Sequence, residues 1–175
     1  MNIRMYGLVL NNLSPIQQGI QFGHALQEYN NEMMLDIADD KTKHDFNQWR
    51  LNDKTFIILN GGTSNSINKK GTLNQHLAYL LSGNISCATF HEPDLNDALT
   101  AIVFPVRENV YNEIDYPNFY KWLSNRYGSS EIYNKQFGIK TDIKELFPDE
   151  YIEWNSIVGE DTITFRTWLK QFKLA

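Results

Sequence analysis

Two stretches hold most of the side chains able to do chemistry. QFGHALQEY (Gln21 to Tyr29) brings His24 onto the start of a helix, just after an apolar strand. EPDLNDALTAIVFPV (Glu92 to Val106) brings Asp94 in a tight loop and Thr100 where a strand begins. A histidine titrates near neutral pH and can relay a proton, while a carboxylate can orient or deprotonate water. Helix and loop placed across a small sheet make the two stretches the halves of one cleft. Each residue also has a plainer role. A histidine at a helix margin commonly packs or caps, Asp94 follows Pro93 and can bond turn amides, and the β-branched Thr100 suits a strand start.

Other candidates carry less. His44, His76 and His91 show no ligand spacing with cysteine or carboxylate, and His91-Glu92 beside Asp94 is a fortuitous grouping, so neither a metal nor a cofactor is expected. The single cysteine, Cys87, lies in ISCATF and has no partner for an internal bridge; it reads as a small buried hydrophobe rather than a nucleophile. Asn60-Gly61-Gly62-Thr63 lacks the Gly-Lys-Ser/Thr ending of a phosphate loop and reads as a turn. Lys69 and Lys70, in the polar TSNSINKKG loop, are either solvated or in reach of a nucleic-acid backbone.

The elements that must position these groups follow from the apolar pattern. Ile3 to Leu10 forms a strand, and Ser14-Pro15 caps a helix whose packed face is expected at Ile16, Ile20, Gly23 and the Leu26 to Gln27 edge. That helix breaks near Asp39-Asp40 and helix resumes toward Trp49. Thr55 to Leu59 gives a second strand. Thr72 caps a helix carrying Leu73, Leu77, Leu80 and Leu81, which ends at Ser82-Gly83-Asn84; Ile85 to Phe90 and Leu99 to Phe104 are further strands. This order predicts an α/β fold: a small mixed four-stranded sheet covered by helices over residues 1–106. Residues 107–175 are expected as a mainly helical C-terminal extension packed on it, with NFYKWLSNRYG and TFRTWLKQF as amphipathic helices and short strand possibilities around Ile152 and Ile163.

Length and composition set outer bounds. At 175 residues and 20.4 kDa the chain can bury a core without disulfides or metal, and no apolar run approaches the ~20 residues of a membrane helix. The N-terminus passes from a short charged lead directly into a strand-like run without a secretory cleavage pattern, so a soluble, cytoplasmic protein is expected. A net charge of -5 with pI near 5.3 argues against a general polyanion-binding surface.

The opening strand, LSPIQQGIQFGHALQEY, a Trp-containing segment before a strand, and EPDLNDALTAI together resemble type 2 peptidyl-tRNA hydrolases, including divergent phage and bacterial relatives. The resemblance covers residues 1–106. Gln21, Phe22, Gly23, His24 and Ala25 fit the family's helix, whereas its functional lysine falls on Gln17 here; Asp94 and Thr100 occupy places similar to the family's loop aspartate and strand threonine. The resemblance implies cleavage of the ester between peptide and tRNA, which requires a positioned water, a proton acceptor and donors for the oxyanion. Asp94 would orient or deprotonate the water, Thr100 and the amide of Gln17 or Gln21 would donate to the carbonyl, and His24 would relay a proton or hold the helix against the loop. Gln21, Lys69 and Lys70 would contact substrate. The alternative is a catalytically inactive hydrolase-fold binding module whose acidic surface and aromatic extension serve a protein partner or a homodimer; peptidyl-tRNA and such a partner are thus the competing ligands.

Overall fold

Ile3–Leu10 (β1) is the centre of the first unit because it is hydrogen-bonded on both sides and buried on both faces, which is why it reads as one apolar run. It runs parallel to Thr55–Gly62 (β2) and antiparallel to Ala98–Arg107 (β4); β4 in turn pairs antiparallel with Ala88–Glu92 (β3), giving the order β2-β1-β4-β3. This mixed sheet carries helices, as the α/β reading expected. The computed structural model describes residues 1–35, 38–136 and 141–175 and divides the chain into two units, Met1–Arg107 with Phe172–Ala175, and Glu108–Gln171. The last residues therefore rejoin the first unit: Asn60 N–H donates to the Lys173 carbonyl and Ala175 N–H to the Ile58 carbonyl, adding a short antiparallel segment to the β2 edge.

Pro15–Met34 (α1) starts at a complete capping box, in which the Ser14 hydroxyl accepts from Gln17 N–H and the Gln17 carbonyl accepts from Ser14 N–H. Its buried face differs from the expected one. Ile16 and Ile20 are 78% and 50% exposed and Gly23 is exposed, while Gln18, Gln21, Phe22, Ala25, Tyr29 and Met33 are buried. Two features fix this rotation. Gly7 leaves a notch for the Phe22 ring, since a Cβ there would lie 2.2 Å from Phe22 Cδ2. The buried glutamines are satisfied: Gln18 Nε2 donates to the Leu10 carbonyl at 2.9 Å, and Gln21 is bonded at both ends, which removes the penalty for burying an amide.

Asp40–Gln48 (α2), capped by Asp39, leads through a π-helical turn at Trp49–Asp53 into β2, so the break near Asp39-Asp40 and the resumption toward Trp49 stand as expected. Phe46 and Trp49 join Phe22, Ala25, Tyr29, Met5, Val9 and Val103 in the core beneath α1. Thr72–Ser82 (α3) begins one residue earlier than expected, at the residue read as its cap. Gly71 is the N-cap, and Thr72 instead accepts from Thr63 N–H and donates to the Gly61 carbonyl, tying the helix start to the end of β2. Leu73 of α3 lies against Gly61 beside Leu8, which alternates with Val9 and so faces away from the α1 core. β3 starts at Ala88 rather than Ile85, because Ile85 N–H closes the α3 terminus on the Leu80 carbonyl.

The second unit comprises Glu108–Tyr111 (α4), Phe119–Tyr127 (α5), Ser129–Gln136 (α6), Ile143–Leu146 (α7), Pro148–Ile157 (α8) and Glu160–Leu169 (α9). Ile152 and Ile163, expected near short strands, lie in α8 and α9. The helices are separated at Gly159, whose φ of 79° suits glycine, and Trp154 and Val158 recur at helical spacing on the buried face. Trp154 sits among Phe119, Leu123, Ile132, Phe147 and Val158 and donates its indole N–H to the Pro117 carbonyl. Arg166 is buried and donates to the carbonyls of Asn109, Val110 and Tyr116; burial lowers its pKa without neutralising it. Among the described residues no helix is long and apolar enough to cross a membrane.

Candidate functional site

The strand pairings bring the chemically interesting residues to one end of the first unit. β1 and β2 end together at Leu10 and Gly62, β3 ends at Glu92, and β4 starts opposite it at Ala98. α1 and α3 begin just beyond the same edge. In open α/β sheets the carboxyl ends of parallel strands are where ligands are held.

A bulge sets the first part of the site. Phe90 pairs with Ala101 and His91 with Leu99, leaving Thr100 as the extra residue of β4. Thr100 thereby shares the α1 face with Ala101 instead of alternating away from it. Its hydroxyl lies 2.6 Å from Gln21 Oε1 and 3.2 Å from the Phe90 carbonyl; its single hydrogen is committed to the shorter contact. Gln21 Nε2 donates in turn to Glu92 Oε2 at 2.6 Å. An ionised carboxylate only accepts, so this bond fixes the orientation of the whole amide. Glu92, quoted in the sequence motif but given no role there, is the group that holds Gln21. Thr100 is 0% exposed and Gln21 8%, so the Thr100 hydroxyl is closed off from solvent.

The remaining residues fall around this chain. His24 is exposed and stacks on Phe90 with ring centroids 4.5 Å apart and an 18° interplanar angle, so it packs α1 against β3. Gln17 is exposed, and its amide carbonyl accepts from both the amide and the hydroxyl of Ser14. Asp94 is exposed in the 3-10 turn Pro93–Leu95, followed by left-handed Asn96 and Asp97 with φ of 54° and 55°. Asparagine and aspartate tolerate that conformation better than other side-chain-bearing residues. Lys69 and Lys70 are exposed on the loop between β2 and α3, where the backbones of Ser66 and Lys69 pair. Thus Thr100 and Gln21 are brought into direct contact, whereas no hydrogen bond ties Gln17, Asp94, Lys69 or Lys70 to them.

Beside this network, on the α3 side, lies an open groove of about 760 Å³. The β2–α3 loop and the α3 start supply Ser64, Asn65 and Asn74; the β3–β4 turn supplies His91, Asn96 and Asp97, with Leu99 at its base. These asparagines escaped the sequence reading because asparagine in a Ser/Gly-rich stretch signals a turn equally well. Cys87 is half-buried before β3, and burial, aided by the charge of Glu32, pushes its thiol up to about 11, which leaves no reactive thiolate near neutral pH. Among the described residues no group of three or more His, Cys, Asp or Glu side chains is placed to hold a metal ion.

The first unit thus has a small mixed α/β sheet, a buried hydroxyl–amide pair tied to the partly exposed Glu92 carboxylate, and an amide-lined groove at one end of the sheet. No protein-family model, curated protein or solved structure matches the chain.

Proposed function

We propose that the first unit is a catalytically inactive binding module on a peptidyl-tRNA hydrolase-like scaffold, and that it serves a protein partner. The Glu92–Gln21–Thr100 chain carries this reading. An ester hydrolase needs donors that are free to meet the oxyanion as it forms. Here the Thr100 hydroxyl is closed off from solvent and committed to Gln21, and the Gln21 amide is committed to Glu92. The position at which the resemblance expects a functional lysine is Gln17, whose carbonyl completes a helix cap. A tRNA substrate also requires a basic rim. Among the described residues that line the groove there is no lysine or arginine, and the chain carries a net charge of -5.

The test is release of free tRNA from a peptidyl-tRNA by the purified chain, beside Asp94→Ala and Gln17→Lys. No turnover by the parent is expected. Parental turnover lost in Asp94→Ala would replace this reading with that of a working peptidyl-tRNA hydrolase, which the exposed Asp94 carboxylate at the same strand end favours. A gain in Gln17→Lys alone would mark a scaffold that lacks only its cation.

A further inference from the structure

The two walls of the groove differ in chemistry. On the loop wall, Asn74 Oδ1 accepts from the Asn65 backbone N–H at 2.8 Å, and Asn65 Oδ1 accepts from the Gly71 N–H at 2.8 Å. A backbone N–H can only donate, so each amide must turn its oxygen to the loop, and which end is nitrogen is settled by the network. Both residues line the groove, and no hydrogen bond among the described residues engages either NH2 group. The two amides are therefore held by the loop backbone with their donors unengaged, beside Ser64, Ser66 and Asn68, which can donate or accept. The facing turn presents Asp97, an acceptor, on the left-handed pair Asn96-Asp97. Between them Leu95, Ala98 and Leu99 give an apolar base. Among the lining residues Asp97 is the one carboxylate, and no lysine or arginine takes part.

A ligand that suits this arrangement offers acceptors to the Asn65 and Asn74 amides, donors to Asp97, an apolar group to the base, and no negative charge beside Asp97. An extended peptide has these properties, because each residue carries one carbonyl and one N–H and its side chains point out of the chain plane. The geometry points to this groove as a binding site for an uncharged, extended peptide segment of a partner protein, with an apolar side chain seated over Leu95 and Leu99. The assignment rests on the binding-module reading and gives it a site and a ligand class. A nucleic-acid backbone fits worse, since Asp97 on the groove wall would repel its phosphates and no lysine or arginine lines the groove to attract them.

Asn65→Asp and Asn74→Asp separate donor loss from loop damage: aspartate keeps the oxygen that the loop N–H needs and removes the NH2. The full-length chain, isotope-labelled, is titrated with an N-acetylated, C-amidated hexapeptide of alanine and serine with a central leucine, while the side-chain amides of Asn65 and Asn74 and the methyls of Leu95 and Leu99 are followed by NMR. Saturable shifts at all four residues are expected, with affinity roughly tenfold weaker in each aspartate variant and unchanged in a Lys69→Ala/Lys70→Ala double variant. Absent shifts, or equal affinity in the aspartate variants, would overturn the assignment. So would a single-stranded RNA oligonucleotide that moves the same resonances and loses its effect in the double lysine variant. Peptide binding can fail while tRNA release stays absent, and tRNA release can appear while the peptide still binds, so the two readouts separate this site from the reading beneath it.

Discussion

Replacing Thr100 by valine isolates the contribution of the buried hydroxyl. Valine keeps the branched shape, so no cavity opens at a position that is 0% exposed. What is lost is the 2.6 Å bond to Gln21 Oε1, which stays in place because Glu92 still holds the other end of the amide. At 8% exposure Gln21 has little access to water, and an unmet buried acceptor costs about 1–3 kcal/mol. Gln21→Leu should cost less from the polar side, about 1 kcal/mol. The Thr100 hydroxyl can then turn to the Phe90 carbonyl at 3.2 Å, and the partly exposed Glu92 is rehydrated. In the double variant no orphaned acceptor remains, so the loss should fall short of the sum by about 1–2 kcal/mol.

Because the chain divides into two units, one unfolding free energy for the whole is ill-defined. Trp49 lies in the first unit and Trp122, Trp154 and Trp168 in the second, so 5-fluorotryptophan labelling and 19F NMR in urea follow the units separately. The cycle is read on the Trp49 resonance. Effects that add to within about 0.3–0.5 kcal/mol, or a neutral Thr100→Val, would mean that the three groups do not act as one chain.

Alkaline stability follows from two buried acids: burial raises the Tyr29 hydroxyl from 10.0 to about 12 and the Cys87 thiol from 9.0 to about 11. The folded state holds these protons longer than the unfolded state, so stability is complete below about pH 9 and declines as pH rises toward 12. Circular dichroism across that range should show a later onset of unfolding in Cys87→Ala than in the parent; an unchanged onset in that variant would count against the assignment. Arg166→Met should destabilise the second unit by about 3 kcal/mol, because three carbonyls lose their donor, measured in urea on the Trp154 resonance. Gly7→Ala should cost about 1–3 kcal/mol through the clash with Phe22, and Phe22→Leu should relieve most of that loss if the ring is the obstacle.

The parts of the fold that sequence made legible are those governed by local chemistry. β1 is bounded by its apolar run, and Ser14-Pro15 marks the start of α1, because capping and burial on both faces act within a few residues. The facing of α1 is set by partners far along the chain. Residues 18, 22, 25, 29 and 33 recur at helical spacing and are all buried, yet the series opens on a glutamine, and Gln21 lies on the same face. Counting isoleucines selected Ile16 and Ile20, two positions away and so roughly 200° around the helix. A buried glutamine is rare because its amide must find partners, and here Leu10 meets Gln18 while Glu92 and Thr100 meet the two ends of Gln21, from strands whose positions only the sheet supplies. The same reasoning explains why Thr100 and Gln21 could each be singled out as polar groups while their contact and the role of Glu92 could not. Residue type marks a group as able to bond, but whether the bond frees it for a ligand or consumes it inside the protein depends on a bulge of one residue in β4. If that bulge were removed by deleting Thr100, the bond to Gln21 Oε1 would be lost together with the local course of β4 between Leu99 and Ala101, and the Trp49 resonance should report a loss larger than that of Thr100→Val.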